Sequence, residues 1–273
     1  MTKFLFWNLN RKPLSDLIAK LAIEESIDIL ILAECTIGSS ELLIALNSTQ
    51  SQKYSFAFSP SKRLLILSRL PHNSIRPIFD NEYLSIRRVI PPVGVEILLV
   101  AVHLSSKLFQ DSDDQALTAP RFARTIEREE NVLGHRRTVV VGDFNMNPFE
   151  VGIAGGEALH AVMDKQTALK GSRIIAGQER FFFYNPMWSR MGDESLGPPG
   201  TYYRQSSKQV NYFWNTFDQI LLRPQLISRF DHQGFKVLKM ISETSLLTKE
   251  GIPDVAVASD HLPLLFGLNL LEM

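Results

Sequence analysis

The segment VVVGDFNMNP, residues 139–148, places polar side chains at the point where an apolar, β-branched run ends. The valines predict a buried strand that reaches Gly142 and is followed by Asp143 and Asn145. If the backbone stays extended, the two-residue period of a strand puts Asp143 and Asn145 side by side. A carboxylate beside a carboxamide suits a hydrated cation or a bound water, and it equally suits capping of a helix that Pro148 would begin.

Other continuous apolar runs have the pattern of strands that are covered on both faces. The predicted strands are residues 4–7, 27–34, 63–69, 95–104 and 137–143, with further apolar runs at 181–184, 217–222, 235–241 and 262–268. Helical spacing predicts one helix after Pro13 and another from about residue 115 to Leu133, with Gly134 as its stop. Strands spread along the chain, with helices between some of them, predict one α/β domain over residues 1–273.

The composition limits the possible classes of partner and the compartment. The chain has 273 residues and 45% apolar content, with 29 basic and 29 acidic residues, so it has no global positive field and a nucleic acid would need a local basic patch. Cys35 is the only cysteine, which excludes an internal disulfide and a cysteine-rich zinc site and fits a reducing compartment. The apolar stretch near the start is too short for a signal peptide or a membrane span. We therefore expect a cytoplasmic protein that does not associate with membranes.

Polar side chains recur where the predicted strands end. In open α/β sheets, ligand sites lie at the carboxyl ends of strands, so we expect these side chains to form one site. They are Asn8, Glu34, His103, Asp143 and Asn145 in the first part of the chain, and Asp218, Asp260 and His261 in the second.

The order of these motifs resembles the endonuclease/exonuclease/phosphatase superfamily, which includes deoxyribonuclease I. The motifs are WN (7–8), AE (33–34), VHL (102–104), GDFN (142–145), FDQIL (217–221) and SDHLP (259–263). The resemblance implies an α/β fold of the deoxyribonuclease I type, a four-layer sandwich of two mixed β-sheets flanked by helices. It also implies hydrolysis of a phosphate ester with a divalent cation, usually Mg²⁺, for which Mn²⁺ can substitute.

The resemblance also implies roles for single residues at the metal and the attacking water. Glu34 matches the metal carboxylate, Asn8 its neighbour, and Asp260 a further group that contacts the metal. Asp143 would orient or deprotonate the attacking water, and Asn145 would hold a phosphate oxygen. Oxygen ligands of this kind suit Mg²⁺, which binds few carboxylates and keeps several waters.

Two histidines complete the implied site. His261 matches the histidine that hydrogen-bonds the phosphate, and Asp218 matches the carboxylate that pairs with it. His103 matches a histidine on the leaving-group side, as phosphate stabiliser or general acid. No motif locates a carboxylate partner for His103, although Glu82 is a candidate. The chain departs from the family pattern at Ala33, where a glutamine often precedes the metal glutamate.

The aromatic stretch RFFFYNPMWSR, residues 180–190, has two interpretations. Tyr184 and Trp188 could stack on a nucleobase while Arg180 contacts a phosphate, which would make all three substrate-binding residues. Alternatively, the phenylalanines are core contacts of a strand and Trp188 packs against a loop.

The predicted function is metal-dependent hydrolysis of phosphodiester bonds, by a nuclease that acts on DNA or RNA. The alternative is a phosphoesterase with the same metal centre that acts on a phospholipid headgroup, an inositol phosphate or a nucleotide, because a fold does not determine its substrate. A noncatalytic binding module is the third hypothesis, and it would bind ligand without metal and without turnover. No protein partner follows from the sequence.

Overall fold

Two mixed β-sheets that face each other form the centre of the molecule in the computed structural model. The structure describes residues 1–48, 53–57, 61, 63–105, 112–195 and 197–271, and of residues 112–117 it describes the backbone alone. The strands in chain order are β1 (Thr2–Asn8), β2 (Ile29–Ala33), β3 (Ser55–Ala57), β4 (Leu64–Ser68), β5 (Ile75–Asp80), β6 (Leu84–Val89), β7 (Ile97–His103), β8 (Thr138–Asp143), β9 (Ala161–Val162), β10 (Ser172–Ile175), β11 (Gln178–Phe181), β12 (Phe183–Tyr184), β13 (Tyr202–Tyr203), β14 (Trp214–Asn215), β15 (Asp218–Leu222), β16 (Lys236–Val237), β17 (Met240–Ile241), β18 (Thr244–Ser245) and β19 (Leu264–Leu268).

Helices connect some of these strands. They are α1 (Ser15–Glu24), α2 (Ser39–Asn47), α3 (Ser112–Leu133), α4 (Val151–Ala154), α5 (Lys165–Leu169) and α6 (Pro224–Ile227), with a 3₁₀ helix at Pro186–Arg190. Within the described ranges, no helix is both long enough and apolar enough to cross a membrane.

Each large sheet mixes parallel and antiparallel pairs. Within the described residues, the first sheet has the order β16-β19-β1-β2-β4-β3 and the second has the order β5-β6-β7-β8-β15-β12-β9. The strands β1 and β2 run parallel in the first sheet, as β7 and β8 do in the second. Because β15 is antiparallel to β8, the first residue of β15 lies at the same edge as the last residue of β8.

Alternate residues of the second sheet face two different apolar clusters, as the two-residue period of a strand requires. In β8, Val139 and Val141 pack toward the first sheet, and Val140 packs with the cluster that contains Ile126 of α3. Helices α1 and α2 pack against the first sheet through buried residues such as Ile18 and Leu42. Helices therefore cover the outer faces of both sheets, which confirms the predicted four-layer sandwich.

The predicted elements agree with the observed ones where the apolar runs are continuous. The runs at 4–7, 63–69, 95–104 and 137–143 correspond to β1, β4, β7 and β8, and α3 ends at Leu133 before Gly134, whose φ is +72°. The helix expected at Pro148 begins instead at Val151. The hairpin β5-β6 and the helix α2 were not predicted. The single-domain assignment stays a prediction.

Candidate active site

Strands from both sheets end at one polar site. Asn8 is the last residue of β1, and Glu34 follows directly after β2. In the second sheet, Asp143 is paired with His103 on one side and with Asp218 on the other. The strand pairing therefore assembles the predicted residues because β1, β2, β7 and β8 end at this site and β15 begins there.

Contacts between side chains join the two sheets at this point. The Asn8 Nδ2 atom donates a hydrogen bond of 3.0 Å to Asp143 Oδ2. His103 Nε2 lies 3.4 Å from Glu34 Oε1 and 3.9 Å from Asp143 Oδ2. Asn8, His103 and Asp143 are buried, whereas the Glu34 side chain is 29% exposed. Glu34 is thus the carboxylate of this group that solvent reaches most easily.

Asp143 and Asn145 lie close together, but an extended backbone does not place them there. The strand β8 ends at Asp143, and Asn145 has a φ of +51°, so the predicted extension of the strand is wrong. The Asn145 backbone N–H donates a 2.8 Å hydrogen bond to Asp143 Oδ1, and Asn145 Nδ2 donates to the carbonyl of Leu104 at 3.0 Å. The aspartate side chain therefore closes a tight turn, as aspartates often do, and the turn keeps Asn145 beside it.

His261 and Asp218 form a buried pair. His261 Nδ1 lies 2.8 Å from Asp218 Oδ2 and 3.0 Å from Asp218 Oδ1, and its Nε2 lies 3.9 Å from Asp143 Oδ2. The backbone of His261 is held as well, because its carbonyl accepts a 2.9 Å hydrogen bond from Trp7 Nε1 and its N–H donates to Ser259 Oγ at 3.2 Å. The ring of His261 is consequently oriented with Nε2 toward Asp143.

The pKa values of Glu34 and His261 are shifted in opposite directions. The hydrogen bond from His103 lowers the pKa of Glu34, although partial burial opposes this effect. Burial alone would lower the pKa of His261, but the charge of Asp218 and its hydrogen bond outweigh burial and raise that pKa to about 10. His261 is therefore a charged donor at neutral pH, and Glu34 is an anion.

The ligand chemistry of the site fits a hard divalent cation. Oxygen atoms of Asp143 and Asp218 and a ring nitrogen of His261 all lie within 4.8 Å of one another, so these three groups could hold a metal ion. Asp218, however, is 0% exposed and both of its oxygens contact His261. Glu34 and Asn8 supply further oxygen atoms at the same site, and hard divalent cations prefer oxygen ligands.

Asp260 and Glu82 differ in their relation to the site. Asp260 is partly buried, and its Oδ1 lies 3.3 Å from Ser259 Oγ; its charge contributes to the raised pKa of His261, so it borders the site. Glu82 instead lies 2.6 Å from Arg63, so its carboxylate is already paired. His103 Nδ1 is buried and has no hydrogen-bond partner among the described residues.

The predicted substrate-binding residues of the aromatic stretch are separated in the structure. Tyr184 is 6% exposed and belongs to the core between the sheets, so its assignment to base stacking is corrected. Arg180 lies on β11 and forms an ion pair of 2.5 Å with Glu157. Trp188 is partly buried on the 3₁₀ helix, with its ring 6.4 Å from that of Phe149.

Residues that the sequence did not single out also shape the site. The Thr201 Oγ1 atom accepts a 3.1 Å hydrogen bond from the backbone N–H of Asp218, and the Tyr202 ring lies 4.6 Å from the ring of His261. An isolated bridge pairs Tyr202 with His261. No sequence signal identifies these residues, because the contact joins segments that are far apart in the chain.

A family model for the endonuclease/exonuclease/phosphatase family matches residues 5–261. The chain belongs to this family. The matched region contains every residue of the site described above, and the family includes enzymes that act on phosphate esters. A search of curated proteins found no match to the chain.

Solved structures of this family share the fold. The endonuclease domain of TRAS1, a telomere-specific non-LTR retrotransposon, is 15% identical, with 100% of both chains covered and a TM-score of 0.54. An AP endonuclease from Archaeoglobus fulgidus is 15% identical, with a TM-score of 0.56. The match covers 98% of this chain and 100% of the endonuclease chain. The 3' phosphatase NExo from Neisseria, bound to a product DNA hairpin, is 14% identical, with a TM-score of 0.55. The match covers 98% of this chain and 100% of the phosphatase chain. At these identities the likeness shows the fold alone.

Proposed function

We propose that the chain is a Mg²⁺-dependent phosphodiesterase, and specifically a nuclease that acts on DNA or RNA. The observation that carries the proposal is the convergence of Asn8, Glu34, His103, Asp143 and the His261–Asp218 pair at one site formed by both sheets. The named activities of the similar structures, which include an AP endonuclease and a 3' phosphatase bound to DNA, support a nucleic acid as the substrate.

The proposed metal ligands are Glu34 and Asn8, with Asp260 as a further contact. Magnesium, when bound, supplies positive charge that neutralises phosphate oxygens. Mn²⁺ would satisfy the same oxygen ligands. Glu34 suits this role because its pKa is lowered and its side chain is still accessible.

The remaining residues have roles in moving a proton and in stabilising charge. Asp143 orients a water and accepts its proton, and the 3.0 Å hydrogen bond from Asn8 and the turn at Asn145 hold its carboxylate in place. His261, charged because of Asp218, donates from Nε2 to a phosphate oxygen. His103, whose Nε2 lies 3.9 Å from Asp143 Oδ2, would stabilise or protonate the leaving oxygen.

The proposal is tested by incubating the protein with plasmid DNA, single-stranded DNA, RNA and bis(p-nitrophenyl) phosphate, each with Mg²⁺, Mn²⁺ or a chelator. We expect metal-dependent hydrolysis of at least one polynucleotide and none in the chelator. Asp143→Ala should lower turnover by about 10³-fold or more, because both proton acceptance and charge organisation are lost.

The matched control is Glu243→Gln, which changes an exposed carboxylate in the turn between β17 and β18. It should retain wild-type turnover. Hydrolysis of bis(p-nitrophenyl) phosphate without cleavage of any polynucleotide would instead support the small-phosphoester alternative. Full activity in Asp143→Ala, or ligand binding without metal and without turnover, would contradict the proposed chemistry.

A further inference from the structure

Three aromatic rings form a continuous surface feature beside the candidate active site. The Phe149 ring lies 5.3 Å from the ring of Tyr212 and 6.4 Å from that of Trp188. Phe149 is 41% exposed and Tyr212 is 57% exposed, although large aromatic side chains usually bury most of their area. We call Phe149, Trp188 and Tyr212 the aromatic platform.

The platform is fixed to the active site by the backbone that follows Asp143. Phe149 comes six residues after Asp143, and Asn147 lies between them. Asn147 Nδ2 donates to Asn215 Oδ1 at 3.0 Å, and Asn147 Oδ1 accepts from the Thr216 N–H at 2.8 Å. These hydrogen bonds join the segment that carries Phe149 to the segment that connects Tyr212 with Asp218. The platform therefore lies next to the active site, and its position is fixed by buried contacts.

The segment that carries Tyr212 is positively charged. Residues 204–213, RQSSKQVNYF, contain Arg204 and Lys208 and no acidic residue. Both cations are exposed, and within the part of the chain that the structure describes neither forms a salt bridge. Exposed rings beside free cations are the combination that binds unpaired nucleic acid strands, because bases stack on the rings while the cations attract phosphates.

The geometry favours unpaired bases over a duplex. The Phe149 and Tyr212 rings meet at an interplanar angle of 68°, and the Phe149 and Trp188 rings meet at 57°. Rings inclined in this way do not lie in one plane, so bases that stack on them individually must be free of a duplex stack.

We propose that the aromatic platform stacks on unpaired nucleobases beside the phosphodiester that is hydrolysed. The preferred substrate is then a single-stranded polynucleotide or a locally unpaired segment of one. This inference deepens the proposed function and rests on it for the identity of the scissile bond.

The test measures binding without catalysis. Fluorescence anisotropy is recorded with the full-length protein in chelator, using single-stranded DNA and RNA oligonucleotides of about 12 nucleotides and a blunt DNA duplex of the same length. We expect the wild type to bind the single strands more tightly than the duplex. Phe149→Leu and Tyr212→Ser, alone and combined, should weaken single-strand binding by about ten-fold or more, because base–aromatic stacking is lost.

Two variants serve as controls on the same surface. Tyr212→Phe keeps the ring and should keep single-strand affinity, which separates stacking from hydrogen bonding by the hydroxyl group. Val210→Ser changes a neighbouring apolar residue that is 68% exposed and should have no effect on binding. Circular dichroism confirms that each variant is folded.

The outcomes distinguish a failure of the platform proposal from a failure of the nuclease proposal. If the wild type cleaves polynucleotides but Phe149→Leu with Tyr212→Ser binds single strands normally, the platform proposal is overturned and the nuclease assignment stands. If the variants lose single-strand binding but the wild type hydrolyses nothing, the platform is supported and the nuclease assignment fails. Equal loss of duplex and single-strand binding also overturns the preference for unpaired bases.

Discussion

Two residues of the candidate active site have backbone conformations that side chains rarely adopt. Glu34 has a φ of +49° and Asn145 a φ of +51°. A left-handed conformation is unfavourable for a glutamate, and it persists only where neighbouring contacts enforce it. The backbone N–H of Glu34 bonds to the Arg63 carbonyl at 3.2 Å, and that of Asn145 bonds to Asp143. The chain therefore accepts a local cost in stability to aim these two side chains at the site.

Asp218→Asn tests whether Asp218 keeps His261 charged. The pKa of His261 is raised to about 10 because the charge and hydrogen bond of Asp218 outweigh burial, so the ring is protonated at neutral pH. Without the Asp218 charge, burial opposes only the charges of Asp143 and Asp260, so the pKa of His261 falls from its raised value. We expect turnover at neutral pH to decrease by about 10²–10⁴-fold, with activity recovering partly as the pH is lowered.

The measurement combines a pH–rate profile with an NMR titration of the His261 ring. Tyr202→Phe is the control, because it retains the aromatic ring beside His261 and both oxygens of Asp218. In that variant the pKa of His261 should stay raised. A His261 that remains charged at neutral pH in Asp218→Asn would show that another group holds the proton.

The paired strands β7 and β8 carry the central residues of the site. Their parallel pairing aligns His103 with Asp143, one residue beyond the pair Val102–Gly142. Gly142 has no side chain at a point where the neighbouring strand is very close, since a Cβ atom there would lie 1.9 Å from the Val102 carbonyl oxygen. The glycine thus permits the two strands to pair up to their ends.

Gly142→Ala should separate the ends of β7 and β8. Because the added methyl group meets backbone, which cannot rotate away, we expect a loss of about 2–4 kcal/mol in the free energy of unfolding. Turnover should fall as well, because His103 and Asp143 move apart. Urea denaturation measures the first effect and the hydrolysis assay the second.

Gly38→Ala provides the comparison for this substitution. Gly38 precedes α2, and a Cβ atom at this position meets nothing within 4 Å. The free energy of unfolding should change by only a few tenths of a kcal/mol, because alanine is the poorer N-cap residue but also lowers the entropy of the unfolded chain. Equal destabilisation by the two alanines would refute the explanation based on the close approach of Val102.

Metal binding should stabilise the fold. Asn8 ends β1, Glu34 follows β2 and Asp260 precedes β19, so a cation held by their oxygens would join three segments of the first sheet. A ligand that binds only the folded state raises the melting temperature. We expect millimolar Mg²⁺ to raise the Tm of the wild type by about 2–4 °C.

Glu34→Gln should remove most of this effect, because the accessible carboxylate of the proposed metal site is lost. Differential scanning fluorimetry with Mg²⁺ or chelator measures the shift, and Glu243→Gln should behave as the wild type does. An undiminished Mg²⁺-dependent increase in Glu34→Gln would place the metal elsewhere in the protein. This readout does not depend on turnover.

The sequence predicted those parts of the fold that depend on short-range patterns. The apolar run of β8 identified a strand covered on both faces, and the polar residues at strand ends are side chains that the structure brings together. The hairpin β5-β6 escaped prediction because charged residues interrupt it: Arg87 is 0% exposed yet ion-paired with Asp80 at 2.8 Å. The turn at Asn145 was also missed, since an aspartate followed by an asparagine two residues later fits an extended strand equally well.

Contacts between distant segments were beyond the reach of sequence patterns. The partnership of His261 with Asp218 followed only from the family resemblance, and its geometry required the structure. The contact of Phe149 with Tyr212 had no local signal at all, because it joins two loops that approach each other only in the folded chain. Tyr184 was assigned to substrate binding because an aromatic residue in a short strand fits both a core and a surface position.

The position of β19 affects when the site forms during synthesis. His261 precedes β19, which inserts between β16 and β1, and β1 carries Asn8. A nascent chain that ends before this segment lacks His261, and β1 lacks its neighbour. A nascent chain therefore cannot assemble the candidate active site until the segment that contains His261 and β19 has been synthesised and has docked beside β1.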